Sequence, residues 1–231
     1  MARASSARSS TTPRRWRGGA EVVPDVDPDL SISIENGPET ELKVKGSRFV
    51  GQGFRADDEA ACQLRLGAVR RRYHDATHHC WALSTGDPER PIERWDDDGE
   101  PSGSAGVPIM GAIRHAGVHG LLVVVTRWFG GTKLGTGGLV RAYGEAARLA
   151  LDAAPRREVW RLATLELETA FDQLGTVESL LAKQGPAVHA VVREFGEGAR
   201  FRVEVRRSRA EALRTDLVEA TRGRIRVSVI T

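Results

Sequence analysis

Long hydrophobic runs are missing from this chain of 231 residues. The longest stretch of consecutive large apolar residues, Leu121 to Val125, falls far short of the roughly 20 that a helix needs to cross a bilayer. Cysteine is scarce as well. Cys62 and Cys80 alone cannot build a disulfide framework, so a reducing, cytoplasmic setting is expected. Aromatic residues make up only 6%, and Lys accounts for 4 of the 34 basic residues against 30 Arg. What remains is 40% hydrophobic and 28% charged, which excludes a wholly disordered, collagen-like or coiled-coil protein. The length suits one or two domains.

The net charge of +3 is a sum of unlike parts. Residues 1–20 carry five arginines and no acid, whereas residues 21–40 carry six acids and no base. Neither stretch has enough periodic apolar content to fold, so 1–40 is expected to be a disordered tail. An arginine- and serine-rich, acid-free start also fits an organellar transit segment. The last 32 residues hold nine bases against four acids.

From Glu41 the texture changes. Strands interrupted at Gly46-Ser47 are expected over 41–55, then a helix capped by Asp57 with Cys62, Leu66, Val69 and Tyr73 inward. A strand over His78–Ser84 leads into a polar, acidic loop through Trp95 to Glu100. A helix follows, with Pro108 in its first turn and Gly117 as its stop. Leu121–Val125 is apolar without alternation, which predicts a central strand covered on both faces. A glycine-rich loop and a helix over about Leu139–Leu151 close an amino domain spanning 41–154. After a linker at Ala154-Pro155-Arg156-Arg157, residues 158–231 read as βαββαβ, a ferredoxin-like split-βαβ sandwich with a Ser208/Glu211 capping box on its second helix. The expected fold class is therefore α+β, with two two-layer domains.

The loop Gly130-Gly131-Thr132-Lys133-Leu134-Gly135-Thr136-Gly137-Gly138 holds five glycines in nine residues between a buried strand and a helix. Backbone N–H groups near a positive dipole end, with Lys133 as a counter-charge, suit a phosphate or another anion. The order matches neither a nucleotide-binding P-loop nor a dinucleotide fingerprint. A tight connection needing positive φ is an equal reading of the same glycines. His78, His79 and Cys80 beside Asp97, Asp98 and Glu100 suggest zinc at first sight. Adjacent strand residues face opposite ways, however, so no metal site is expected, and a buried histidine bonded to a loop carboxylate is the better reading. No ordered catalytic set such as a nucleophile elbow is present. In the carboxy domain Arg200, Arg202, Arg206, Arg224 and Arg226 alternate with apolar residues, which predicts a basic, open sheet face able to lie against an RNA backbone. Pairing with Glu166, Glu168 and Glu204 would offset part of that charge.

Taken together, Lys45-Gly46-Ser47-Arg48-Phe49, Ala76-Thr77-His78-His79-Cys80, Asp97 through Gly106, and Arg127-Trp128-Phe129-Gly130-Gly131 through Tyr143 resemble the YigZ/IMPACT family, also called uncharacterised protein family 0029. The resemblance covers about residues 41–231. It implies an amino domain like elongation factor G domain IV and the protein subunit of ribonuclease P, and a carboxy domain like elongation factor G domain V. It also implies a link to RNA, ribosomes or the regulation of translation. The expected function is therefore a non-catalytic RNA- or ribosome-associated protein, without cofactor or membrane partner. Arg127, Lys133, Gly135, Thr136, Gly137, Gly138 and Arg141 would hold phosphate, and the five carboxy-domain arginines would add backbone contacts. The alternative is an enzyme acting on a phosphorylated or nucleotide ligand at the glycine loop.

Overall fold

The computed structural model describes residues 27–230, so the arginine-rich start lies outside the described residues. Two units follow one another along the chain, joined by a small two-stranded sheet. The first is built on a five-stranded antiparallel sheet of β2 (Thr40–Val44), β3 (Ser47–Arg55), β4 (His78–Asp87), β5 (Arg90–Asp96) and β6 (Leu121–Trp128), in the order β2-β3-β6-β4-β5. β6 is central, as its unbroken apolarity requires. Leu121, Val123 and Val125 pack under the helices α2 (Gly106–Ala116) and α3 (Thr136–Ala153), while Leu122 and Val124 pack under α1 (Glu59–Arg72) on the opposite face. The amino unit therefore has three layers rather than the expected two. The stripe of Cys62, Leu66 and Val69 gave α1 its own face of the sheet to cover.

Several local expectations shift. Asp58, not Asp57, caps α1 by accepting from the Ala61 amide at 2.7 Å. β5 was not expected; it is an almost wholly exposed edge strand, which tolerates Pro91 and shows no apolar alternation to read. Gly117 ends α2 at φ 63, as a left-handed cap should. α3 begins at Thr136, so Gly137 and Gly138 belong to its first turn and the open loop is shorter than the glycine run.

The carboxy unit has the expected βαββαβ order. β8 (Leu162–Thr169), α4 (Leu174–Lys183), β9 (Val188–Phe195), β10 (Ala199–Arg206), α5 (Arg207–Ala220) and β11 (Ile225–Ile230) form an antiparallel sheet in the order β11-β8-β10-β9, with both helices on one face. The mixed α+β, two-unit character expected from the sequence is what the structure has.

Residues 30–40 are not tail. β1 (Leu30–Ile34) pairs antiparallel with β7 (Arg156–Trp160), so the expected linker is itself a strand. Ile34 is fully buried in the amino-unit core. Just before β1, Asp29 is buried and accepts from the Ser208 amide at 2.9 Å and the Ser208 hydroxyl at 2.6 Å. It supplies the acceptor for the first turn of α5 that the Ser208/Glu211 box was expected to provide within the helix. Arg161 fastens the other side, reaching Glu89 at 2.6 Å and Asp87 at 3.3 Å on the β4–β5 turn.

Candidate functional site

Side-chain alternation puts Ser47 and Phe49 of β3, His78 and Cys80 of β4 and Arg127 of β6 on the sheet face that carries α2 and α3. Register sets Arg127 directly between Phe49 and His78. Into this end of the face drop Glu100, from the loop after β5, and Tyr143, from α3. One carboxylate oxygen of Glu100 accepts from Arg127 Nη1 at 2.5 Å and from the Tyr143 hydroxyl at 2.8 Å, with His78 Nε2 at 3.7 Å. The Arg127 and Glu100 side chains are only 5% and 4% exposed. Arg127 Nη2 donates to Ser47 Oγ at 3.2 Å, and the Gly130 amide donates to that same hydroxyl at 3.2 Å. Among the described residues Arg127 Nε has no partner. Burial pushes the Tyr143 hydroxyl far above its usual range, with Cys80 and Glu100 adding to the effect, so it acts as a fixed donor.

Of the acids that suggested metal or catalysis, Glu100 is held by Arg127 and Tyr143, and Asp97 and Asp98 accept from backbone amides. Asp97 accepts from the amides of Gly103 (2.7 Å), Ala105 (2.9 Å) and Gly106 (2.8 Å), satisfying the start of α2. Asp98, at φ 44, accepts from the His79 amide at 2.6 Å and from Arg70 at 3.0 Å. His78 and His79 do face opposite ways. His78 Nδ1 meets the Asp98 carbonyl at 2.8 Å, and His79 Nε2 meets the Tyr73 carbonyl at 3.0 Å. Burial lowers the His79 pKa below its ordinary value. Among the described residues no three His, Cys, Asp or Glu side chains converge as a ligand set.

Above the Arg127–Glu100 pair runs the glycine loop. Gly130 crosses the β2–β3 turn so closely that a Cβ would stand 1.9 Å from the Gly46 carbonyl carbon, so this position admits only glycine. The crossing brings Lys45 beside the loop. No side chain caps α3, whose N-cap is Gly135 at φ 70. Lys133, Gly135, Thr136 and Gly137 are exposed, and Arg141 projects from the second turn of α3. Lys45 and Arg141 line one groove of about 270 Å³ with an apolar floor of Leu42, Val44, Leu134 and Ala142. Its acid, Glu145, is engaged by Arg148 at 2.7 Å. Among the described residues, Lys45, Lys133 and Arg141 have no carboxylate within 4.0 Å. Of the residues expected to hold phosphate here, Arg127 is placed differently, because its charge is neutralised beneath the surface. Lys45 and Phe129 were not expected in the site; the β2–β3 turn that delivers Lys45 is sequence-distant, and only the crossing with Gly130 reveals it.

The carboxy-unit arginines are not brought together as a basic face. Arg200 and Arg226 pair with Glu168 at 3.1 and 3.0 Å, and Arg202 with Glu166 at 2.9 Å. Arg206 stacks on Trp160, 4.0 Å from the ring centroid, and pairs with Asp27 at 2.5 Å. Arg224 precedes β11 and pairs with Asp172 at 2.8 Å. On the open face Arg200, Arg202, Arg206 and Arg226 meet Glu166, Glu168, Glu194 and Glu204, four against four. The expected positive excess is absent, because Glu194 on β9 sits directly opposite Arg200.

A family model described as the Impact N-terminal domain matches residues 45–151, and one described as a domain of unknown function, DUF1949, matches residues 167–224. The chain is 31% identical over 190 residues to the IMPACT family member YigZ of Escherichia coli, covering 81% of this chain and 92% of that protein. It is 29% identical over 193 residues to the IMPACT family member YvyE of Bacillus subtilis, covering 84% and 88%. An IMPACT family member from Thermus thermophilus is 38% identical over 160 residues, 68% of this chain and 83% of that one. A solved structure described as that of a hypothetical protein aligns with a TM-score of 0.64 at 27% identity, covering 88% of this chain and 98% of the other.

Proposed function

The chain belongs to the IMPACT family, and from that premise we propose that it is a non-catalytic protein that binds the phosphate backbone of RNA, alone or on the ribosome, at the glycine-loop end of its amino unit. One observation carries the reading. From Phe129 to Gly144 the chain has no acid, and the unpaired cations Lys45, Lys133 and Arg141 gather around exposed backbone at an uncapped helix start. Phosphate oxygens are acceptors that this arrangement can satisfy without competing carboxylates. Arg200, Arg202 and Arg226 contribute secondarily. Their side chains are 66–83% exposed, and surface ion pairs are worth at most about 1 kcal/mol, so phosphate can displace Glu166 and Glu168. A likeness of the two units to elongation factor G domains IV and V belongs to this reading and supports a ribosomal setting, with a role in regulating translation.

The test is co-sedimentation with ribosomes and binding to structured RNA at two salt concentrations. Affinity should fall as salt rises, and the triple substitution Lys45→Glu, Lys133→Glu, Arg141→Glu should weaken it and flatten the salt slope by about one per lost phosphate contact. Salt-independent binding, or none at micromolar protein, refutes it. A second reading, an enzyme acting on a phosphorylated small molecule, is favoured only by the 270 Å³ groove with its apolar floor and two cations. It requires thermal stabilisation by one such ligand, rising with ligand concentration.

A further inference from the structure

Resting on that reading, we infer that the glycine-loop site takes single-stranded RNA rather than duplex, with Phe129 as the platform on which an unpaired base stacks. A lone exposed phenylalanine is ordinary on a protein surface. This one is not lone. Its side chain is 47% exposed at the mouth of the acid-free loop. Its backbone is pinned, because the Phe129 amide donates to Thr77 Oγ1 at 3.0 Å. Its ring is backed by the buried guanidinium of Arg127, 5.6 Å from the ring centroid, and that group is held in turn by Glu100 and Ser47.

A platform fixed in this way loses little conformational freedom when a base settles on it, so less of the stacking affinity is spent on ordering the ring. The arrangement also gives the buried ion pair a purpose. Arg127 cannot reach a phosphate from its covered position, but its guanidinium, held by Glu100 and Ser47, supports the ring that faces solvent. Lys133 follows four residues along the loop, and the Gly46–Gly130 crossing sets the turn that carries Lys45 against the residue after Phe129.

The chemistry distinguishes strands from duplexes. In a continuous A-form helix each base face is covered by its neighbours, so an aromatic platform gains nothing. In a single strand, a loop or a bulge every base has a free π face, and each stacked base is worth about 1–3 kcal/mol whatever its identity. The recognition is therefore tolerant of sequence and selective for unpaired segments.

The experiment measures binding of the full chain to a 12-nucleotide labelled uridine oligomer and to an RNA duplex of the same length, for wild type, Phe129→Ala, Phe129→Tyr and Lys133→Glu. Phe129→Ala should weaken single-strand binding by roughly 5- to 150-fold while leaving duplex affinity and both salt slopes unchanged. Phe129→Tyr should restore it, which a merely structural role of the side chain does not require. Lys133→Glu should weaken both ligands and lower both slopes by about one. Equal effects of Phe129→Ala on the two ligands, no effect on either, or duplex bound as well as single strand overturns the platform while leaving the phosphate reading standing. Absence of binding to both removes that reading and this one together.

Discussion

Removing Glu100 tests how the amino unit is held together beneath its loop. Glu100→Ala leaves the Arg127 guanidinium, 5% exposed, without its counter-ion and the Tyr143 hydroxyl without its acceptor. Breaking one side of a buried pair costs about 3–5 kcal/mol, most of it from stranding the surviving charge. For a chain of this size each kcal/mol moves the midpoint by about 2–4 °C, so a fall of roughly 6–20 °C is expected. The informative comparison is a cycle of Glu100→Leu, Arg127→Met and the double variant, followed by urea unfolding with the native circular-dichroism signal. Each single change should lower stability by the full amount. The double change should recover most of it, since two apolar side chains leave nothing buried and charged. Losses of less than about 1 kcal/mol for the singles, or a double variant as unstable as their sum, would refute the claim that the two charges depend on each other. The cycle also separates stability from binding. The double variant should fold well and yet lose single-strand affinity, because Met cannot fix the Phe129 ring as the tethered guanidinium does.

Four further outcomes follow from the geometry. Ile34→Ala should cost about 2–5 kcal/mol in chemical denaturation, whereas a residue in a disordered tail would cost nothing. Asp29→Ala should cost about 0.5–2 kcal/mol by uncapping α5, and its effect should shrink but persist in a background that already carries Ser208→Ala, because that change removes the hydroxyl contact and leaves the backbone amide of residue 208. Because burial lowers the His79 pKa, the unfolded chain binds the proton first as pH falls. Stability should therefore be complete above pH 6.5 and decline below it towards the folded value, and thermal melts of His79→Gln should show a flatter profile in that window. Cys62 and Cys80 should resist alkylation at pH 8 until the protein is unfolded, since both are buried and burial raises Cys62 to about 11 and Cys80 further still.

What the sequence revealed about the fold followed the strength of its periodicities. β6 was legible because five consecutive apolar residues admit only a strand covered on both faces, and β8 and β10 because inward Leu165, Leu167, Phe201 and Val203 alternate with charge. β5 and β1 were not. β5 lies at a sheet edge with nearly every side chain in solvent, so no alternation betrays it. β1 gains its place by pairing with β7, 126 positions away in the register Ile32 to Glu158, and local composition cannot report so distant a partner. The layer count failed for a related reason. The stripe on α1 identified a buried helix face, but only the sheet's two-sidedness decides which layer buries it, and Leu122 and Val124 were already pointing there.

Charge was the least legible property, and the reason bears on function. Nine bases against four acids in the last 32 residues is a true count along the chain, but a sheet face is assembled across strands. Glu166 and Glu168 enter from β8 and Glu194 from β9, all outside that segment, and they bring the open face to balance. The amino-unit loop behaves in the opposite way. Its segment carries only Lys133 and Arg141 between Phe129 and Gly144, a modest excess by count. Folding then adds Lys45 from a remote turn, occupies Glu145 with Arg148 and withdraws Glu100 into the interior. Unpaired positive charge is thus a property of the folded surface, made by where the acids go. It collects at the glycine loop, where backbone amides and an aromatic ring are also exposed, and not on the sheet where the arginines are most numerous.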